Sequence, residues 1–389
     1  MKPALLWGSE LSPFFLKVEA LCQHAGLPTE RRPDGGTALE NLRLMTRLRL
    51  AQARRRVKRW PSAQPDDEYP LVPYLFTADG DIHYDSSGIA GWLDAHPVSA
   101  AAAEPLIPRE PLPAFVCKLI EEALDEVGLY LVHHHRWVVS RGDNDAGERL
   151  AREFRSLLPG FAQPLLAQSF SRRQTRRLPY LFSVAPDNKR WLPGRWPDPP
   201  ARTGFPATHR RLEQSWDELV DAAERLLSQQ PYLLGDRFTL ADAALYGQLG
   251  MNLSDPSSER RLRERAPRLR GWLGAIAAGR HAGSRGELRL HPELAPLLAW
   301  VQSDFIPLMR ANAAAASAPS HGPRNEAAFN RGRDLFEFEW RGAPARTVVK
   351  RFQLRTWSEL CAEARALSAE DMETLSALGC EACLPEWRR

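Results

Sequence analysis

The sequence predicts an α+β domain followed by an all-α domain, with a small α/β extension at the C-terminus. Three observations predict it. The first hundred residues alternate short apolar runs with helical periods, in the order strand, helix, strand, then strand, strand, helix. From residue 112 to about 315 nearly every segment has the 3.6-residue period of an amphipathic helix. Residues 334–352 alternate around Arg341-Gly342 as a hairpin does, ahead of two more helical stretches.

Composition supports this partition. A chain of 389 residues is longer than one average domain and suits two domains with an appendage. With 43% hydrophobic and 26% charged residues it can bury a sizeable core, which excludes wholesale disorder. The net charge of +4 is too small for a dedicated nucleic-acid binder, which concentrates positive charge over a whole face. Five cysteines do not make a disulfide framework. The apolar run at the N-terminus is too short for a signal peptide, and no stretch approaches the roughly 20 apolar residues that cross a bilayer. The expectation is a soluble, cytoplasmic protein without a membrane span or a nucleic-acid partner.

The elements follow in order. Ala4 to Trp7 is a short apolar strand, and Gly8 to Leu11 a loop. Ser12-Pro13 opens a helix carrying Phe14, Phe15, Val18, Leu21 and Cys22, because Ser is a favoured N-cap and Pro a favoured first residue. Gly26-Leu27-Pro28 stops it ahead of a second strand. Residues 38–60 form a basic helical stretch with Leu42, Met45, Leu48 and Leu50 as its apolar positions, inside an insert spanning 36–69. Two strands, Leu71–Thr77 and Asp81–Tyr84, flank the hairpin signal Ala78-Asp79-Gly80. Asp85-Ser86 starts the next helix, and 1–98 closes as the first domain. The second domain spans 106–315, with helices expected over 114–138, 145–168, 207–229, 239–252, 258–280 and 290–315. An irregular passage at 171–206 is expected to wrap over its surface. The extension spans 325–389, and its last helix is capped by Ser368 with Asp371 three residues on.

Taken in order, these pieces resemble a glutathione S-transferase. Ser12-Pro13-Phe14 with Lys17-Val18, then Val72-Pro73-Tyr74-Leu75, then Asp85-Ser86 with Ile89 and Leu93, resemble its thioredoxin-like domain. Pro231-Tyr232-Leu233-Leu234-Gly235-Asp236 followed by Thr239-Leu240-Ala241-Asp242 resembles its helical domain. The resemblance covers 1–34, 70–97 and 205–280 well, is loose over 112–170, and is absent over the basic insert and the extension. It implies a serine-type enzyme with glutathione as co-substrate and no metal. Its partners would be glutathione and a small electrophile, and the family's usual dimer makes a homodimer the expected assembly.

The chemistry of the residues fits that expectation. A free thiol has a pKa of about 8.5, and a helix N-terminus with a hydroxyl at hand favours the thiolate. The resemblance therefore implies Ser12 as thiolate stabiliser, although by spacing alone Ser12 is a plain helix cap. It also implies a cis Val72–Pro73 bond, with the Val72 backbone pairing to the cysteinyl unit of glutathione by strand addition. Ser86, at a helix N-terminus, would receive the γ-glutamyl carboxylate and Asp85 the ammonium. Tyr130 and Trp137 are the substrate-cleft candidates. Thr239 with Asp242 is a capping box and identifies fold rather than chemistry.

Other features carry less. His133, His134 and His135 point about 100° apart on a helix and cannot converge on one metal. Cys380-x-x-Cys383 has redox spacing without the helix head that lowers a thiol pKa, and Cys22 reads as core. The main alternative is a non-catalytic protein of the same fold that binds a partner through the basic insert and the extension.

Overall fold

The computed structural model describes residues 3–59, 61, 72–98, 104–178, 182–187, 189–191, 204–317 and 335–380. Strand β1 (Ala4–Trp7) crosses over through α1 (Pro13–His24) to β2 (Thr29–Arg32), which pairs parallel to it. After α2 (Ala38–Ala53), β3 (Tyr74–Phe76) pairs antiparallel to β1, and β4 (Ile82–His83) antiparallel to β3, giving the order β2-β1-β3-β4. The β3–β4 turn is where the Asp79-Gly80 signal placed it. Thr77 N–H donates to the Asp81 carbonyl at 3.0 Å, and Gly80 has φ +98°. Both strands are shorter than the sequence reading drew them. Helix α3 (Ser86–Ala95) completes this thioredoxin-like unit.

Alternation along β1 sorts its helices into layers. Leu6 joins the core built with Val18 and Leu21 of α1 and Ile89 of α3, whereas Trp7 joins Leu48, Val57, Tyr74 and Phe76 on the opposite face. The basic helix α2 therefore lies across the sheet from α1 and α3. It docks through Leu48 with Leu44, Met45 and Ala51, while Leu42 and Leu50, two of its apolar positions, are each 49% exposed.

The helical domain begins with α4 (Pro111–Ala123), a π-helical turn (Leu124–Gly128), α5 (Leu129–His134) and a second π-helical turn (His135–Val139), so that one helical rod runs from Pro111 to Val139. The expected 145–168 helix is two, α6 (Ala146–Glu153) and α7 (Gln163–Arg177). Pro159-Gly160 interrupts the period and Pro164 restarts it. Helices α8 (His209–Leu226) and α9 (Leu240–Asn252) match their expected spans. The 258–280 stretch divides at Pro267 into α10 (Pro256–Arg265) and α11 (Pro267–Ala277). Helices α12 (Ala295–Trp300) and α13 (Ile306–Ser317) close the bundle around a third π-helical turn. In the capping box the Asp242 carboxylate accepts from Thr239 N–H and O–H and from Leu233 N–H. The passage expected to wrap the surface is buried over 182–185, where Phe182 is 1% exposed and meets Tyr130 edge-on at 4.6 Å, while Arg172, Arg173, Asp187 and Arg190 are exposed.

In the extension, β5 (Leu335–Trp340) and β6 (Ala343–Val348) pair antiparallel, followed by α14 (Arg351–Ala366) and α15 (Ala369–Ala377), the latter with the predicted Ser368–Asp371 cap. The extension shares the main core. Trp340 is fully buried, its indole N–H donating to Asp304 at 2.6 Å, and Arg211 donates to the carbonyls of Trp340, Ala343 and Pro344. Trp357, Leu360 and Ala364 of α14 pack into the same apolar cluster as α4 and α13.

The two domains meet most closely where α9 crosses α1. A Cβ at Gly247 would lie 2.6 Å from the Pro13 carbonyl oxygen and 2.9 Å from the Lys17 Cβ, so only glycine permits this approach. Gly247→Val is expected to destabilise the protein by about 1–3 kcal/mol through overpacking. Gly271→Ala, at an exposed helical position with open space around it, should instead stabilise by up to about 1 kcal/mol. Urea denaturation of both variants checks the pair, and equal effects would contradict the packing account.

Candidate functional site

Topology brings three chain ends to one edge of the sheet: the C-terminal end of β1 leading into α1, the N-terminal end of β3, and the C-terminal end of β4 leading into α3. Gly8 follows β1 here, and a Cβ on it would lie 3.3 Å from the Val72 Cβ and 2.4 Å from the Phe15 ring. The Val72–Pro73 bond is cis, as the resemblance implied.

Ser12 stands at the mouth of α1, half-buried, with extended backbone, and Pro13 is the first helical residue. Its side chain makes no capping hydrogen bond. The turn is held by its neighbour instead: Ser9 Oγ accepts from Leu11 N–H at 3.1 Å, and the Ser9 carbonyl from Ser12 N–H at 2.9 Å. Ser9 also hydrogen-bonds the carboxyl of Glu153, which burial pushes up to about 7. Arg136, 2% exposed, anchors the loop from behind. Its guanidinium pairs with Asp255 at 2.9 Å and donates to the Leu11 carbonyl at 3.1 Å. Trp137, 2% exposed, packs with Leu11 and meets Phe170 edge-on.

At the second helix mouth, Asp85 holds φ +68°, a conformation costing of the order of 1–3 kcal/mol in a non-glycine residue and sustained by its surroundings. Its Oδ1 accepts from Ser87 N–H at 3.3 Å, and Ser86 is buried at the first helical position. Its Oδ2 receives Arg59 Nε from the insert and lies 3.9 Å from Arg355 Nη2 of α14. Thus the insert and the extension, distant in sequence, both reach the same carboxylate.

Beneath α3, the Lys17 ammonium, 1% exposed, pairs with Glu121 and, at 2.6 Å, with Asp125. Ser87 Oγ donates to the same Glu121 oxygen that receives Lys17. Burial works against the charge on Lys17, but the two carboxylates outweigh it and raise its pKa. One cation faces four neighbouring acids, so burial and mutual repulsion raise Glu122 and Glu126 and push Asp125 up to about 7. Glu126 and the neighbouring Tyr130 bind the extension: Gln353 donates to Glu126, and Lys350 Nζ to the Tyr130 hydroxyl. Tyr130 is 1% exposed, its ring covered by Lys350 and Phe182.

The structure therefore gathers Ser12, Val72, Pro73, Asp85 and Ser86 along one sheet edge and places Tyr130 and Trp137 inside the helical domain's core. Sequence reasoning missed Arg59, Arg136, Glu153 and Arg355. A signal existed for the Lys17 group, since a lysine on the buried face of α1 needs an acid partner.

The histidines diverge as expected. Nδ1 of His133 lies 3.1 Å from the Leu129 carbonyl oxygen, His134 is bonded to Ser183 Oγ, and His135 stacks on Trp216 at 4.1 Å. Both ring nitrogens of His135 are buried without a hydrogen bond. Cys22 is buried and its thiol is pushed up to about 12, mainly by burial. Cys380 is buried; Cys383 lies outside the described residues. Among the described residues no helix is long and apolar enough to cross a membrane.

Residues 206–275 match the family model of the glutathione S-transferase C-terminal domain. That match covers one segment of the helical bundle, which follows a unit with thioredoxin-like strand order. No curated protein is significantly similar to it. Among solved structures, a glutathione S-transferase from Methylobacterium radiotolerans in complex with glutathione sulfonate is 19% identical, covering 71% of this chain and 91% of that one, with a TM-score of 0.35. One from Methylobacillus flagellatus with glutathione bound is 15% identical over 71% of this chain and 98% of that one, with a TM-score of 0.35. A Tau class glutathione S-transferase from mango is 12% identical over 71% and 89%, with a TM-score of 0.36.

Two predictions follow from the buried charges. Lys17→Met should destabilise by about 3–5 kcal/mol in urea denaturation, because it strands two buried carboxylates; a loss below about 1 kcal/mol would mean the pair is solvated. His135 is held neutral by burial, its pKa lowered, so the unfolded chain gains a proton there as pH falls below about 6.5 and the folded chain does not. The stability this histidine allows is present above that pH and lost below it. His135→Phe should therefore stabilise the protein, by about 1 kcal/mol more at pH 5.5 than at pH 7.5. A pH-independent difference would contradict the assignment.

Proposed function

We propose that the protein is a glutathione transferase-like enzyme in which Ser12 stabilises the thiolate of glutathione. The observation that carries this reading is the Ser12 hydroxyl, which stands at the positive end of α1 and makes no capping hydrogen bond. With no cap bond to fix its rotamer, the hydroxyl can turn its O–H toward a sulfur at the helix mouth. The helix N-terminus supplies roughly half a positive charge, and charge plus donor together lower a thiol pKa toward neutrality. Glutathione would lie along the sheet edge. Its cysteinyl backbone would pair with Val72 beside the cis Pro73, and its γ-glutamyl carboxylate would sit against Ser86 at the N-terminus of α3. In the reaction the thiolate forms a carbon–sulfur bond to an electrophile, and the displaced group leaves with its bonding electrons. Tyr130 and Trp137 would then shape the acceptor side from within the helical domain, Trp137 through Leu11 and Tyr130 through its contacts with the extension.

A second reading has its own support. Leu39, Leu42 and Leu50 are exposed on α2 among Arg43, Arg47 and Arg49, a basic face with apolar points suited to a macromolecular partner. One series of measurements separates the two. Wild-type protein should bind glutathione by calorimetry and conjugate a model electrophile such as 1-chloro-2,4-dinitrobenzene. Ser12→Ala should lower turnover about ten- to hundredfold and shift the pH–rate profile upward by about one to two units, with far-UV dichroism unchanged. A wild-type protein that neither binds glutathione nor turns over any electrophile would remove the enzyme reading and leave the binding one.

A further inference from the structure

A groove of about 1180 Å³ runs between α2 and the β3–β4 turn, and none of Ser12, Val72 and Ser86 lines it. Seven lysine and arginine side chains do, against Asp79 and Asp81. Their partners divide them. Lys58 pairs with Asp81, and Arg59 with Asp85. Arg47 donates to the Gly80 carbonyl and lies 5.5 Å from the centre of the Phe76 ring. Arg43 stands one turn after Glu40, whose carboxylate Thr37 already holds, and Asp79 accepts from Thr77 Oγ1 and Asp81 N–H. Arg54, Arg55 and Arg56 differ: all three are exposed, and among the described residues no acid lies within ion-pair distance of them.

These three arginines stand on a fixed backbone. Their N–H groups close the last turn of α2 on the carbonyls of Leu50, Gln52 and Ala51, at 3.0, 3.0 and 2.8 Å. Arg55 takes φ +52°, the left-handed setting in which glycine usually ends a helix, so a side chain is kept there at a conformational cost. Beyond them Val57 is 3% exposed, and the Lys58 backbone pairs with Ile82 and Tyr84 at the edge of β4. Cations presented from such a backbone lose less freedom on meeting an anion than mobile surface charges do. Leu42 and Leu50, each 49% exposed, line the same groove about 12 Å apart along the helix axis.

We propose that this groove docks an acidic amphipathic segment of a partner protein, its carboxylates on Arg54, Arg55 and Arg56 and its apolar side chains on Leu42 and Leu50. Charge complementarity selects an anion, and the leucines select one with an apolar face, as when an amphipathic helix lies in a groove. A bilayer surface is flat and does not enter between a helix and a turn. Nucleic acid fits less well, because bases stack on open aromatic faces. The Trp92 indole at the end of the groove already carries His83 at 4.8 Å and His96 at 5.0 Å. The proposal rests on the second reading above, gives its partner a chemistry, and does not depend on the thiolate.

Fluorescence anisotropy on the full-length protein tests it with a labelled peptide of repeating Leu-Glu-Glu-Leu-Leu-Glu-Glu, amphipathic as a helix. Wild type is expected to bind this peptide with a dissociation constant of about 1–10 μM, and at least about fivefold more weakly when alanine replaces every leucine. The triple variant Arg54→Glu, Arg55→Glu, Arg56→Glu should weaken binding about tenfold or more, and Leu42→Ser, Leu50→Ser about fivefold, with far-UV dichroism unchanged. Equal binding of the two peptides overturns the proposal, since charge alone is then read. An oligothymidylate or a phosphatidylserine vesicle that binds as tightly as the leucine peptide also overturns it and assigns the face to nucleic acid or membrane. Folded variants that bind unchanged do the same. By sequence, the chain's own Asp66, Asp67 and Glu68 are competitors for the arginines. Binding that appears only in the variant Asp66→Asn, Asp67→Asn, Glu68→Gln assigns the groove to those acids and overturns the proposal, as does binding in neither protein. The wild-type comparison of ligands stands whether or not a groove variant folds. No glutathione is present, so the enzyme reading is judged separately by its own titration.

Discussion

One ammonium ties the head of α1 to the rest of the molecule. Lys17 leaves α1 on its buried face and enters the helical domain between Glu121 and Asp125. Such a charge is tolerated in the interior only when its partners are already in place, because a lone buried cation costs far more than a pair returns. The pair therefore acts less as a source of stability than as a registry mark. It permits one setting of α1 against α4 and α9, the setting in which Gly247 lets the backbones touch. Since α1 carries Ser12 at its head, the same contact that joins the domains also aims the hydroxyl.

The β1–α1 loop shows the complementary device. Its turn is made by Ser9, its carbonyl is held by Arg136, and its apolar tip is covered by Trp137. With three other groups fixing the loop, the Ser12 side chain has no structural duty.

The extension is as much a part of the fold as the helices it covers. Trp340 and Trp357 sit in the common core, and Asp304 is buried against Trp340 and Arg341. Along the same run, Lys350, Gln353 and Arg355 reach Tyr130, Glu126 and Asp85 in turn. One side of α14 thus packs apolar residues while another presents polar ones to the seam between the domains. The site is a product of three chain regions, and its electrostatics cannot be assigned from the first domain alone.

How much of this was legible in the sequence follows from the range of the forces involved. Local signals did their work: Ser12-Pro13, Asp79-Gly80, the Thr239–Asp242 and Ser368–Asp371 boxes, and the 3.6-residue period all act within one or two turns, and the elements they mark are present. Failures at this level were also local. Pro159-Gly160 and Pro267 divided helices that apolar spacing had joined, and Leu42 and Leu50 turned outward because α2 meets the sheet along a narrower stripe than its composition suggests. What only the tertiary structure decided is the pairing of charges across long separations: Lys17 with Glu121, Arg136 with Asp255, and Arg59 and Arg355 on Asp85. A charge carries no record of its partner in its own neighbourhood, since Coulomb attraction has no sequence period. By itself the sequence determined which segments fold and where their caps fall; packing alone determined which buried charges meet across the domains.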